Sequence, residues 1–182
     1  GQVTSRAALT PEMKLTVKAV KKAVRFLKKQ NAKKINGYYY GIVHPDCSYD
    51  LTEDARWIDA VKYKNPERIY NGEIGEIEGA RFVETTEAKI WAKAGAAKST
   101  SDTTKIDVYG TLIFGANAYA TTKIEGGGLK TIIKQLGSAG TGDPLDQRAT
   151  VGWKALKVTE ILTEAYMIRI ETASTFSDGE AN

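Results

Sequence analysis

The chain has 182 residues, 42% hydrophobic and 26% charged, which suits one generous globular domain or two small ones sharing a sheet. There is no apolar run of 18 residues, so no membrane-spanning helix is expected, and the amphipathic, basic first 30 residues lack the apolar core of a signal peptide. The single Cys47 excludes an internal disulfide and fits a reducing compartment. The net charge of +4 is unevenly placed: residues 1–36 carry ten Lys or Arg against one acid, Glu12, while the rest carries 16 basic against 21 acidic side chains. A basic surface meeting an acidic partner follows, either nucleic acid or the acidic part of another copy.

In chain order, residues 1–9 read as a loose end. Residues 10–31 then read as one long helix. Thr10 is a suitable N-cap, Pro11 suits the first helical position, and Glu12 sits well in the first turn. Met13, Val17, Val20, Val24 and Leu27 form one apolar stripe at spacings of 4, 3, 4 and 3. Around the stripe stand Lys14, Lys18, Lys21, Lys22, Arg25, Lys28 and Lys29. Three readings fit this face: a solvated surface of a helix laid across a sheet, a nucleic-acid contact, or the spine of a subunit in a larger shell.

Residues 38–43, YYYGIV, are aromatic and β-branched and predict a buried strand, broken by His44, Pro45 and Asp46. A short helix is expected from residue 51, capped by Thr52, with Trp57, Ile58 and Val61 on its apolar face and Pro66 beyond its end. Gly72, Gly75 and Gly79 permit tight turns or bulges before a strand over residues 81–86. Residues 94–104 are small, polar and without periodicity, and predict a mobile loop at an edge. Two strands are expected over residues 106–114 and 118–124, joined at residues 115–117. Behind Gly126, Gly127 and Gly128, the positions Leu129, Ile132, Ile133 and Leu136 match helical spacing, and Gly137 supplies a stop. After a flexible turn and the break at Asp143 and Pro144, residues 151–161 and 166–172 predict a final strand pair, with Tyr166, Ile168 and Ile170 on one face. Residues 173–182 read as a polar tail.

The inventory for chemistry is thin. His44 is the only histidine, and histidine-based triads, histidine metal clusters and HExxH sites fail on that count or on spacing. His44-Pro45-Asp46 is the tripeptide of a J-domain, but here it follows a strand; a strand-end side chain bonded to nearby backbone is the simpler reading. Gly126 to Thr131, GGGLKT, fails the phosphate-loop pattern because Leu129 precedes Lys130. Tyr38, Tyr39 and Tyr40 beside Lys33 and Lys34 could stack on bases, yet the motifs of an RNA-recognition fold are absent. No catalytic, cofactor or metal residue is nominated.

Several segments carry a family likeness. GYYYGIVHPDCSYDL, then Trp57-Ile58-Asp59-Ala60, NGEIG and IEGARFVET are followed in order by VYGTLIFG, DPLDQR and TVGWK. From about Leu9 to Glu171 the chain resembles the major capsid protein of tailed bacteriophages, of the large-virion podovirus type. The resemblance implies an α+β fold, the tailed-phage major capsid fold shared with phage HK-ninety-seven and herpesviruses. That fold has a peripheral domain (a long spine helix plus a long-stranded sheet) and an axial domain. It would place the spine in residues 1–37, a mainly axial region with strands returning to the peripheral sheet in 38–146, and the closing strand pair and tail in 147–182. The family's N-terminal arm and E-loop precede the spine; only nine residues precede Thr10 here, so the chain reads as a truncated or processed fragment.

The implied role is a non-enzymatic structural subunit of an icosahedral shell, built of hexamers and pentamers around double-stranded DNA. Implied partners are further copies of itself, with scaffolding, portal and decoration proteins, packaged DNA held non-specifically, and no membrane. The implied location is the virion, assembled in the bacterial host cytoplasm. A basic-helix nucleic-acid-binding protein is the alternative. The expected assembly contacts are Lys14, Lys18, Lys21, Lys22, Arg25, Lys28 and Lys29 on the helix, Lys98 and Asp102 in the loop, and Asp143, Asp146 and Arg148 in the later turn.

Overall fold

The structure is a computed structural model that describes residues 3–64, 75–123, 127–138, 142, 145 and 147–176, with residues 60–64 as backbone only. The expectations placed on Val61, Pro66, Gly72, Ile124, Gly126, Asp143, Pro144, Asp146 and the last six residues lie outside what is described. The chain divides into two compact units, residues 1–118 with 163–182, and residues 119–162.

In the first unit, a helix α1 spans Val17–Lys29, not residues 10–31. Thr16, not Thr10, is its N-cap, its hydroxyl accepting from Ala19 N–H at 3.4 Å. The first-turn N–H of Val17 is taken by the Asp54 carboxylate at 3.0 Å, where the helix dipole also favours a negative charge. Upstream, residues 10–13 form a turn, and Lys14 lies in a parallel bridge with Ala173 whose carbonyl and amide partners hold the backbone extended. Those tertiary bonds occupy groups that a longer helix would need. The apolar stripe is otherwise as expected: Val17, Val20, Val24 and Leu27 are buried, joined by Ala23, while Met13 falls outside the helix.

Strand β1 follows at Tyr39–Val43, then helix α2 at Pro45–Thr52 and helix α3 at Ala55–Lys64. His44 does not merely end the strand. It caps α2, its Nδ1 accepting from Asp46 N–H at 3.3 Å, with Pro45 in the first turn where its missing N–H costs nothing. Thr52 ends α2 instead of starting a helix, and Asp54 starts α3 by accepting from Arg56 N–H at 3.0 Å. A two-residue strand β2 at Glu76–Ile77 turns into β3 at Ala80–Glu84 through Glu78 and Gly79, both with positive φ. Strand β4 covers Ile90–Trp91 and β5 covers Val108–Phe114.

Residues 94–106 are not an irregular loop. Across a narrow hairpin Gly95 N–H donates to the Ile106 carbonyl and Ile106 N–H to that of Ala96, Lys98 N–H donates to Thr104, and Ser99 N–H to Asp102 closes its tip. Small residues let the two arms approach; a Cβ on Gly95 would stand 2.5 Å from Ile106.

The second unit holds β6 at Tyr119–Thr121, β7 at Lys130–Lys134, β8 at Thr150–Lys154 and β9 at Thr159–Ile161. Two antiparallel ribbons form, β6 with β9 and β7 with β8. The helix expected over residues 129–136 is therefore a strand. Leu129, Ile132, Ile133 and Leu136 satisfy helical spacing, but Thr131, Ile132 and Ile133 are β-branched and find cross-strand partners in Trp153, Gly152 and Val151. The expected final strand pair does not form either. Residues 150–161 pair within the second unit, and the last strand, β10 at Met167–Thr172, returns to the first.

The main sheet runs β10-β5-β1-β3-β2, with β4 continuing the edge of β5. The β1–β3 pair is parallel and the others are antiparallel. Helix α1 crosses the β10–β5 side, and Leu15, Leu27, Tyr39, Val43, Leu51, Trp57, Phe82 and Ile113 belong to one buried core. As expected, Tyr166, Ile168 and Ile170 pack against it.

Two segments near the limits of the described residues are tied down. Leu9 is buried and its carbonyl accepts from Ala96 N–H at 2.9 Å. The start of the expected polar tail also docks: Thr175 N–H donates to Asp50 at 2.9 Å and Phe176 meets Tyr49 edge-on at 5.2 Å.

Candidate functional site

The expected basic face exists. Lys18, Lys21, Lys22, Arg25, Lys28 and Lys29 are exposed on α1, and Lys14 is half-buried before it. Lys21 is drawn to Glu78 at 2.9 Å, and Lys14 lies 4.0 Å from the buried Asp50. Phe26 stands 43% exposed among these cations, an apolar element that the stripe did not include.

Beside this face runs an open groove of about 1320 Å³. Side chains from residues 3–14, from α1 and from β10 line it. Lys14, Lys18, Lys22 and Arg25 line it together with Met13, Ala19, Phe26 and Met167; Lys21, Lys28 and Lys29 do not. The groove thus combines cations, carboxylates and apolar side chains.

One end of the groove is fixed by a charged cluster. Arg6 grips Glu171 with two hydrogen bonds, Nε to Oε2 at 2.7 Å and Nη2 to Oε1 at 2.9 Å. Arg169 Nε reaches Glu171 Oε1 at 2.8 Å. Both guanidiniums also sit against the Trp91 ring, at 4.0 and 5.2 Å from its centroid. The hydrogen bonds from Arg6 hold the Glu171 carboxyl below the usual carboxylate range, against the opposing effect of burial, with the Arg6 and Arg169 charges adding to the lowering. Glu171 in turn raises the Arg6 guanidinium. Nothing in the sequence pointed to this cluster. Arg6 lies in the segment read as a loose end, and Arg169 and Glu171 were simply the outward positions of a strand.

Lys98 and Asp102 both sit on the exposed 94–106 hairpin. Asp102 is held below its ordinary pKa chiefly by hydrogen bonds from Thr104, with Lys98 contributing by its charge. Arg148 is exposed, while Asp143 and Asp146 lie outside the described residues. The structure thus groups Lys14, Lys18, Lys22 and Arg25 around one groove and leaves Lys98 and Asp102 on a separate element.

The remaining reactive groups are structural. Burial pushes the Cys47 thiol up to about 12, against a weak contact from Thr172 Oγ1 at 3.8 Å, so the thiol stays protonated. Burial likewise raises the Tyr109 hydroxyl, which donates to Asp46 at 2.8 Å. Among the described residues, no group of three His, Cys, Asp or Glu side chains is placed to hold a metal ion. Among them, too, no helix is long and apolar enough to cross a membrane.

Comparison with known proteins gives one consistent answer. The model of the family described as "Phage capsid protein" matches residues 3–136. No curated protein matches. The fold is similar to the capsid of Ralstonia phage GP4, with a TM-score of 0.67 at 15% identity, covering 100% of this chain and 53% of that one. It is similar to the cyanophage Pam1 capsid at TM-score 0.65 and 10% identity, covering 94% and 50%. The head of Helicobacter pylori bacteriophage KHP40 follows at TM-score 0.61 and 13% identity, covering 93% and 62%. The chain spans about half the length of the first capsid chains it matches.

Proposed function

From the premise that this chain belongs to the phage capsid protein family, we propose that it is a structural subunit of an icosahedral bacteriophage shell. The observation that carries the reading is the family match over residues 3–136, made on a fold similar to that of several phage capsids. The function is self-association. A subunit presents a fixed set of surfaces to copies of itself, and closed symmetry repeats that set around rings, here hexamers and pentamers. Many weak contacts then sum to a stable shell around double-stranded DNA.

In this reading residues 1–37 supply the spine of a peripheral domain, residues 38–146 mainly an axial domain, and residues 147–182 the closing strands and tail. The assembly contacts are the cations of α1 and its approach (Lys14, Lys18, Lys21, Lys22, Arg25, Lys28 and Lys29), the hairpin residues Lys98 and Asp102, and the Asp143, Asp146 and Arg148 turn. The groove beside α1 supports this, because cations beside exposed apolar surface suit an extended segment of a neighbouring subunit. Scaffolding, portal and decoration proteins complete the shell in the host cytoplasm, and any contact with packaged DNA is sequence-independent and salt-sensitive. The chain needs no catalytic centre for this role. Free nucleic-acid binding by α1 gains no support, since the comparisons all lead to capsids.

Sedimentation velocity at high protein concentration, with electron microscopy of the same sample, tests the reading. Rings, sheets or shells are the expected result. Lys21→Glu with Lys28→Glu is expected to weaken them; unchanged assembly removes the helix from the contact set. A monomer that binds DNA with a steep salt dependence would overturn the shell reading for this chain.

A further inference from the structure

Strand β10 pairs with β5 along one side, and its other side is an edge of the main sheet. Gly115 N–H donates to the Tyr166 carbonyl at 3.0 Å, which fixes the alternation of the antiparallel ladder. Ile168, Ile170 and Thr172 then bond to β5, while the backbone groups of Met167, Arg169 and Glu171 point away from it. Ala173 keeps the same alternation, its N–H turning from β5 to donate to the Met13 carbonyl at 3.0 Å. Just upstream the chain turns, Met13 N–H donating to the Thr10 carbonyl, and Leu9 bonds Ala96 instead of the edge. Met167 N–H is taken by the Glu164 carbonyl. Among the described residues, nothing bonds the Met167 carbonyl or the N–H and C=O groups of Arg169 and Glu171.

The groove beside α1 runs along this edge. Consecutive residues of a strand point to opposite faces of the sheet, yet all six from Met167 to Thr172 line the groove. The edge is what both faces share. Every lining residue belongs to the first unit.

The side chains around the edge select what can lie on it. Six basic side chains line the groove against three carboxylates, and one of those carboxylates, Glu171, is already held by Arg6 and Arg169. Lys18, Lys22 and Arg25 follow the i, i+4, i+7 spacing and so share one face of α1. None of the three makes an ion pair among the described residues. Between them stand Ala19 and the half-exposed ring of Phe26. Backbone donors and acceptors in a row are a template for one more strand. Uncompensated cations call for carboxylates on that strand, and the apolar groups call for apolar residues between them.

We propose that the free edge of β10 receives an acidic, extended segment of another polypeptide chain as an added β-strand, its backbone bonded to Arg169 and Glu171 and its carboxylates facing Lys18, Lys22 and Arg25. This deepens the groove contact of the shell reading by giving its mode and its chemistry. It rests on that reading for the setting, while the edge itself belongs to the first unit alone.

The peptide acetyl-Thr-Glu-Val-Glu-Val-Glu-Thr-amide, added to the dilute full chain, tests it by amide hydrogen exchange and by fluorescence anisotropy of a labelled copy. The expected result is binding with about tenfold slower exchange at the Arg169 and Glu171 amides, while the Ile168, Ile170 and Thr172 amides, already bonded to β5, are unchanged. The same peptide with Lys in place of Glu, and the Glu peptide against Lys18→Glu with Lys22→Glu, are each expected to bind about tenfold more weakly or worse. Absence of binding, binding that slows both sets of amides alike, or equal affinity for the Glu and Lys peptides overturns the proposal. Slow exchange at Arg169 and Glu171 in the dilute chain without peptide shows the chain covering its own edge and overturns it too. Slow exchange that appears only as the chain is concentrated, and that the peptide does not displace, shows two copies pairing edge to edge and overturns the acidic occupant. Rings or shells formed by a chain that fails the peptide test leave the shell reading standing, whereas a chain that passes it and stays monomeric at every concentration keeps this edge and loses self-assembly.

Discussion

Gly41 lies in the middle of β1, directly opposite Phe82 of β3 in the parallel register. A Cβ at residue 41 would stand 2.6 Å from both Cδ1 and Cε1 of the Phe82 ring. That is nearly 1 Å inside ordinary contact, so the ring must move. It has little room: Phe82 is buried and packs edge-on against the buried Trp57, ring centroids 6.1 Å apart. Overpacking of this kind costs about 1–3 kcal/mol, and removing a strand glycine returns about 0.5–1 kcal/mol. Gly41→Ala is therefore expected to destabilise by roughly 1–2 kcal/mol, which in a unit of this size lowers Tm by about 3–8 °C. Urea unfolding followed by tryptophan fluorescence measures it, with an unchanged m-value as the control for two-state behaviour. Phe82→Leu in the same background takes the ring away from the new methyl. The two substitutions are expected to couple by about 1 kcal/mol or more, the double variant being more stable than additivity allows. If Gly41→Ala is as stable as the parent, or if the two effects simply add, the ring contact does not set the spacing of β1 and β3.

Three further outcomes follow from other parts of the first unit. Glu171→Gln is expected to lower stability at neutral pH. Glu171 is held below its ordinary pKa of about 4.3, so its contribution is full above that value and is lost as pH falls through the lowered one; the gap between parent and variant should close in acid, read by thermal melts from pH 7 to 2. Burial raises the Cys47 thiol to about 12, so the unfolded chain ionises first as pH rises. Stability should then fall with a slope of up to about 1.4 kcal/mol per pH unit above about pH 8.5, a slope that Cys47→Ala removes. Asp50→Ala strips the acceptor from Thr175 N–H and hydroxyl. It should cost about 1–3 kcal/mol and speed hydrogen exchange at the Thr175 amide, while amides in β5 keep their protection relative to the new global stability.

The elements that could be read from sequence were those whose local signals agreed with their packing. Val17, Val20, Val24 and Leu27 repeat at helical spacing and all are buried, so the helix and its inward face were legible. YYYGIV has aromatic and β-branched residues and became β1. The outward cations of α1 were legible for the same reason, since a stripe that faces the core sends the other positions to solvent. Where two local readings competed, the long-range partner decided. Thr10 and Thr16 are both acceptable caps, and the bridge from Lys14 to Ala173, 159 positions away, selected Thr16. Residues 129–136 satisfy helical spacing and also contain three consecutive β-branched residues; pairing with residues 150–154 made them a strand.

The charge asymmetry, the apolar face of α1, the central strand and an ordered set of segments sufficient to indicate the family were all legible along the chain. Those properties are local, or survive as linear patterns. Long-range contacts settled which strands are neighbours, that Arg6 closes on Glu171 across 165 positions, that β10 completes the first sheet rather than pairing with β9, and that residues 130–134 pair with residues 150–154. Each of these depends on contacts between residues far apart in the chain. Hydrogen-bond partners and buried area exist only once those residues have been brought together, and no spacing rule along the chain encodes them.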